Sequence, residues 1–105
     1  MASSDPILTR FRAALAEVYG DRVERVVLYG SRARGDARAD SDYDIAVFLK
    51  DLSSRWLEVR RITDIELTER NLTDADIHAM PFPAGSWRDP SSPLMYEIRK
   101  DGLEL

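Results

Sequence analysis

The stretch LYGSRARGDARADSDYDIAVFL, Leu28 to Leu49, sets a Gly-Ser turn, three arginines and an Asp-x-Asp pair between two apolar runs. The first run, Val23 to Tyr29 (VERVVLY), is β-branched and apolar and ends at Gly30, so it reads as a largely buried strand. The second alternates Asp42, Asp44, Ala46 and Phe48 with Tyr43, Ile45, Val47 and Leu49. That alternation predicts a second strand with both carboxylates on one face at its entrance. A plain polar loop between strands is the simple reading of so much charge. The spacing of the groups argues instead for a phosphate and metal site.

Working outward, Asp5 and Pro6 supply an N-cap and a first-turn proline. Ile7, Phe11, Leu15 and Val18 then recur at helical spacing up to Gly20. From Ser53 to about Asn71 there is no proline or glycine, and Trp56, Val59, Ile62 and Ile65 line up at spacing three, with Leu72 ending the segment. This predicts a long helix whose arginines and glutamates form a solvated face. Asp74 to Phe82 (DADIHAMPF) alternates like a strand and is closed by Pro81 and Pro83, before the turn-rich PAGSWRDPSS. Ser92 and Pro93 open a short helix that Gly102 stops, and LEL offers a short terminal strand. Helix, strand, strand, helix, strand, helix is the order of a small α/β sandwich, a mixed sheet flanked by helices. At 105 residues the chain is expected to make one domain, residues 1–105, without a separate substrate domain.

Composition narrows the chemistry. The sequence has no cysteine and one histidine, which excludes thiolate zinc sites, cysteine nucleophiles and a multi-histidine metal site within one chain. Hard cations held by oxygen remain. No segment reaches the ~18 continuous apolar residues of a membrane span, and the start MASSDPILTRF is unlike a signal peptide, so a cytoplasmic protein is expected. A net charge of -4 argues against generic nucleic-acid binding. Arg32, Arg34 and Arg38 are nevertheless clustered, and a local basic patch on an acidic chain suits a small anionic ligand.

A short helical turn from Gly30 and Ser31 through Ala33 and Arg34 would aim backbone N–H groups and the serine hydroxyl at phosphate oxygens. Arg32 and Arg34 are candidates to assist them. Asp42 and Asp44, two residues apart on a strand, have α-carbons roughly 6 to 7 Å apart at ~3.3 Å rise. Carboxylates at that separation can bridge two divalent metals that bind a triphosphate and activate an attacking hydroxyl. Oxygen-only ligands point to Mg²⁺. Asp76, inside DADIHAM, is the best candidate for a third carboxylate, with Asp74 as fallback. His78 shares the face of Asp76 and could tune it or contact the base, although a lone strand histidine is more often structural. Trp56 and Tyr96 are expected to pack, and Trp87, in a turn-rich segment, to face a partner.

Gly30-Ser31, ten intervening residues, then Asp42-x-Asp44 resembles the signature of the polymerase β-like nucleotidyltransferase superfamily. The fuller string YGSRARGDARADSDYDIAVFL is similar to the minimal nucleotidyltransferases, prokaryotic proteins of about this size often encoded beside a helical HEPN partner. DADIHAM and the closing SPLMYEIRKDGLEL are also similar, so the resemblance covers nearly the whole chain. It implies Gly30 and Ser31 at the nucleotide phosphates, Asp42 and Asp44 as metal carboxylates, and Asp76 as the third carboxylate near the acceptor hydroxyl. It also implies transfer of AMP from ATP with Mg²⁺. In HEPN-paired members the acceptor is a tyrosine of a ribonuclease toxin, and the nucleotidyltransferase acts as antitoxin in a hetero-oligomer. One departure stands out: where relatives have an apolar residue, an Asp and two apolar residues, this chain has Ala75-Asp76-Ile77-His78. Two further readings compete: an antitoxin that only masks its toxin, and an adenylyltransferase for a small molecule such as an aminoglycoside.

Overall fold

The computed structural model describes residues 5–38 and 41–105. Helix α1 (Pro6–Tyr19) starts where predicted: the Asp5 carboxylate accepts the Ile7 N–H at 2.8 Å, and Gly20 ends it. Its buried stripe is Leu8, Phe11, Leu15 and Tyr19. Val18, expected on that stripe, is 51% exposed, because the spacing of three and four continues from Leu15 to Tyr19 rather than to Val18.

The sheet has the order β3-β2-β1-β4, made by β1 (Val23–Tyr29), β2 (Tyr43–Leu49), β3 (Ile77–Pro83) and β4 (Leu103–Glu104). β1 pairs antiparallel with β2 and with β4, whereas β2 and β3 run parallel. Parallel pairing needs a crossover, and α3 (Arg55–Thr73) supplies it, capped by Ser54 accepting the Leu57 N–H. The mixed sheet with helices is therefore as expected. The alternation of β2 separates two cores. Tyr43, Ile45, Val47 and Leu49 join Val26, Leu28 and Ile77 beneath α1 and α3. Ala46 and Phe48 join Val27 and meet Met95 and Ile98 of α4 (Pro93–Asp101). Each of the buried Val, Leu, Ile, Phe and Met side chains contributes about 1.5 to 3 kcal/mol.

β3 runs through both prolines expected to close it. Odd-numbered residues of this edge strand turn their N–H away from β2. Ala79 donates its own to Glu66 at 2.7 Å, and Pro81 and Pro83 have none to lose. Asp76 lies one residue before the strand rather than inside it.

α3 departs furthest from its predicted packing. Ile62 and Ile65 are buried, but the rest of the inward stripe is Glu58 and Glu69, 3% and 5% exposed, while Trp56 is 72% exposed and Leu72 is also outside. Glu58 accepts from Arg22 at 2.6 Å, Arg61 at 3.1 Å and the Tyr19 hydroxyl at 3.3 Å, and Glu69 accepts from Arg10 at 3.2 Å. Buried carboxylates are tolerable only when paired in this way. Burial and the neighbouring Glu58 push the Tyr19 phenol up to about 12.

α4 begins at Ser92 and Pro93 as predicted. Gly102 then lets the chain turn into β4, since a Cβ there would collide with the Ile98 carbonyl and Val27. Trp87 does not face outward: it lies edge-on to Phe48 at 5.5 Å, with the Arg25 guanidinium 4.3 Å over its ring. Tyr96, expected to pack, is exposed instead, because the inward positions of this short helix are taken by Met95 and Ile98.

Candidate active site

The antiparallel pairing of β1 and β2 brings the ends of the Leu28–Leu49 stretch together. Tyr29, the last residue of β1, pairs with Asp44, the second of β2. Gly30 follows with φ 74, a left-handed conformation that favours glycine, and turns the chain into the single helical turn α2 (Ser31–Arg34). The Gly30 carbonyl accepts the Ala33 and Arg34 N–H groups, both at 3.1 Å. Among the described residues the Ser31 N–H and hydroxyl carry no protein bond, so both are available to a ligand.

Asp44 is fitted to that turn. A Cβ at position 30 would lie 2.5 Å from the Asp44 Oδ2, so the missing side chain is what lets the carboxylate sit against the backbone. Burial holds the Asp44 carboxyl above its ordinary value; Asp42 adds to this, and His78 and Arg34 oppose it. Tyr29, half-buried beside it, is raised by burial and by the Asp44 charge, and so remains a protonated phenol.

Because β3 is parallel to β2, its entrance lies at the same sheet end: Tyr43 pairs with Ile77 and Asp44 with His78. His78 therefore shares the face of Asp42 and Asp44, and its Nε2 lies 3.3 Å from Asp42 Oδ2. The Asp76 carbonyl accepts the Tyr43 N–H at 2.8 Å, but its carboxylate is turned onto Arg70 of α3 at 2.5 Å. Asp74, the fallback, is the exposed, left-handed C-cap of α3.

The two arginines separate. Arg32 stacks on Tyr43 at 3.9 Å and donates to the Ser41 carbonyl at 2.9 Å. Tyr43 points to the α1 side, so Arg32 stands opposite the carboxylate face and ties the loop to the sheet. Arg34 is near enough to Asp44 to lower its pKa and makes a long, exposed contact of 3.5 Å with Asp36. Two residues of the ten-residue spacer, Ala39 and Asp40, lie outside the described residues.

Gly30, Ser31, Asp42, Asp44 and Arg34 are thus gathered at one end of the sheet, with His78 and Tyr29 beside them. Among the described residues no three acidic or histidine side chains converge as a closed metal cage. The pair Asp42 and Asp44 still fits a hard divalent cation. It offers only oxygen donors, one of them carrying a charge that burial leaves undercompensated. Mg²⁺ ordinarily keeps several waters or takes ligands from phosphates. Arg70 had no signal in the sequence, since its role follows from the chain reversal between α3 and β3. Tyr29 could have been found from its position at the end of β1.

The sequence and the fold both match known nucleotidyltransferases. Residues 14–104 match the family model "Polymerase beta, Nucleotidyltransferase". Over 46 residues the chain is 35% identical to "Putative protein adenylyltransferase MJ0141" of Methanocaldococcus jannaschii, covering 44% of this chain and 46% of that relative's length. Among solved structures, a "putative nucleotidyltransferase" from Sulfolobus solfataricus superposes with a TM-score of 0.65 at 19% identity, covering 93% of this chain and 75% of that one. A toxin-antitoxin structure with AMP-PNP gives a TM-score of 0.57 at 21% identity, covering 90% of this chain and 68% of that one. The matched span runs from within α1 through β4 and so takes in the serine turn and both carboxylates: the chain belongs to the polymerase beta nucleotidyltransferase family.

Proposed function

We propose that this protein is a minimal nucleotidyltransferase that moves AMP from ATP to a tyrosine hydroxyl of a HEPN-type ribonuclease toxin, and so acts as its antitoxin. The observation that carries the reading is the contact of the Asp44 carboxylate with the Gly30 turn, which joins a phosphate-binding backbone to a carboxylate pair. The relative named as a protein adenylyltransferase and the fold shared with a toxin-antitoxin complex holding an ATP analogue support it.

In this reading Ser31 and the Gly30 turn bind triphosphate oxygens through N–H and hydroxyl donors, and Arg34 adds positive charge beside them. Asp42 and Asp44 would hold Mg²⁺, which when bound neutralises charge on the phosphates and acidifies the acceptor hydroxyl. Asp76 would accept the acceptor's proton once its carboxylate leaves Arg70. His78 keeps Asp42 oriented toward the shared face until the substrate arrives. The new bond joins the acceptor oxygen to the α-phosphorus, the bond to the bridging oxygen breaks, and pyrophosphate leaves.

The test is intact-mass measurement of the protein encoded by the adjacent reading frame, incubated with ATP and Mg²⁺ with and without this chain. A gain of one or more AMP units that disappears with Asp44→Asn supports transfer. Neutralisation that survives Asp42→Asn and Asp44→Asn without a mass gain would establish masking instead.

A further inference from the structure

Helix α3 sorts its charges by depth. Glu58 and Glu69 are buried, and Glu66 is half-buried with one oxygen given to the Ala79 N–H. Arg55, Arg60, Arg61 and Arg70 are all exposed, and Asp64 is the one acidic side chain of the helix at the surface. Drawing the glutamates inward makes the outer side of α3 basic on a chain of net charge -4. Apolar groups lie among these arginines, since Trp56, Leu57, Leu67 and Leu72 are all exposed. Trp56, Arg60, Thr63, Leu67 and Arg70 follow one another at spacings of four and three, the geometry of one helix stripe. Its far end opens into the active site, where Thr63, Leu67 and Arg70 line a cleft of ≈ 300 Å³ with Asp42, Asp76 and His78.

We propose that this stripe is the docking surface for the acceptor protein, which meets it with a face that is both acidic and apolar. The inference rests on the reading of a protein acceptor and names where that acceptor binds. Exposed tryptophan and arginine side by side are the residue types that dominate protein interfaces. Strand addition at the neighbouring β3 edge is blocked by Pro81, Pro83 and the Glu66 cap, so the contact is through side chains of α3. The arginines would also attract a polyanion. The overall negative charge and the exposed Trp56 and Leu67 within the stripe favour a protein.

The test uses the whole chain, its Trp56→Ala and Arg60→Glu variants, and the protein from the adjacent reading frame, with Kd measured by calorimetry. Each variant weakens binding by about tenfold or more, while Tyr96→Ala on α4 stays within about twofold. Arg60→Glu also flattens the salt dependence of Kd. ATP binding and the thermal midpoint are unchanged in both stripe variants. If Trp56→Ala lowers the thermal midpoint, Leu67→Ser reads the same stripe from its other end. Binding of that protein insensitive to both stripe variants overturns the proposal, as does a single-stranded RNA that binds through Arg60 and displaces the protein. Stripe-dependent binding without AMP transfer keeps the surface and removes the catalytic reading. AMP transfer with binding indifferent to the stripe does the reverse.

Discussion

The two faces of the sheet are built from the same strands and serve different ends. On the α1 and α3 side every side chain of β2 is buried, from Tyr43 to Leu49, and two helices cover it. On the other side α4 and the short 3-10 turn Ala84–Arg88 reach only Ala46 and Phe48, so the first turn of the pleat, with Asp42 and Asp44, stays open. The strand thus provides stability with its odd residues, and chemistry with Asp44 and with Asp42 just before its first residue. The pleat lets it do both, because neighbouring side chains point to opposite faces. The site is therefore an uncovered end of a core layer rather than a separate loop assembly.

Substitutions at adjacent residues should separate the two roles of the strand. Asp44→Asn is expected to lower AMP transfer by about 100-fold or more, measured by intact mass, with the fold preserved in circular dichroism. Ile45→Ala, one residue on and facing α1, should instead cost roughly 2 to 5 kcal/mol in denaturant unfolding. Gly30→Ala tests the contact joining turn and carboxylate. The added Cβ meets Asp44 Oδ2 in a backbone conformation alanine adopts poorly, so transfer should fall about tenfold or more, with a destabilisation near 1 kcal/mol. A crystal structure of that variant should find the Asp44 carboxylate displaced.

The smallest effect is in pH. The Asp44 carboxyl is held above its unfolded value, so folding takes up a proton between the two. Stability therefore falls as pH rises through that window, and the cost persists above it. Asp44→Asn removes the cost, so its thermal midpoint should exceed that of the parent at neutral pH. The gap should close below about pH 4, where the parent carboxyl is protonated in both states. A variant no more stable than the parent at neutral pH would show that Asp44 is well solvated.

Much of the fold was legible because its signals are local. Asp5-Pro6, Ser92-Pro93 and the closing glycines mark helix ends through the chain's own hydrogen bonds, and the alternation of β2 assigns faces without a neighbour. The helix stripes were less legible. Val18 and Tyr19 compete for one position, and a hydroxyl with a buried glutamate to meet wins it. Nothing in the sequence of α3 says that Glu58 and Glu69 go inside and Trp56 outside, because that depends on arginines from elsewhere in the chain arriving at Glu58 and Glu69.

The sequence by itself determined the pairing of turn and carboxylates. The chain between the strands, Gly30 to Asp42, is too short to hold a crossover helix longer than the single turn at Ser31, which favours an antiparallel return, and the period of two puts Asp42 and Asp44 together. Tertiary structure alone decided the rest of the site. The parallel crossover through α3 set the entrance of β3 beside that of β2, giving Asp42 a histidine and Asp76 an arginine as neighbours. It also sent Arg32 across to Tyr43. These partners are separated by several to tens of residues along the chain, and only packing can choose among them.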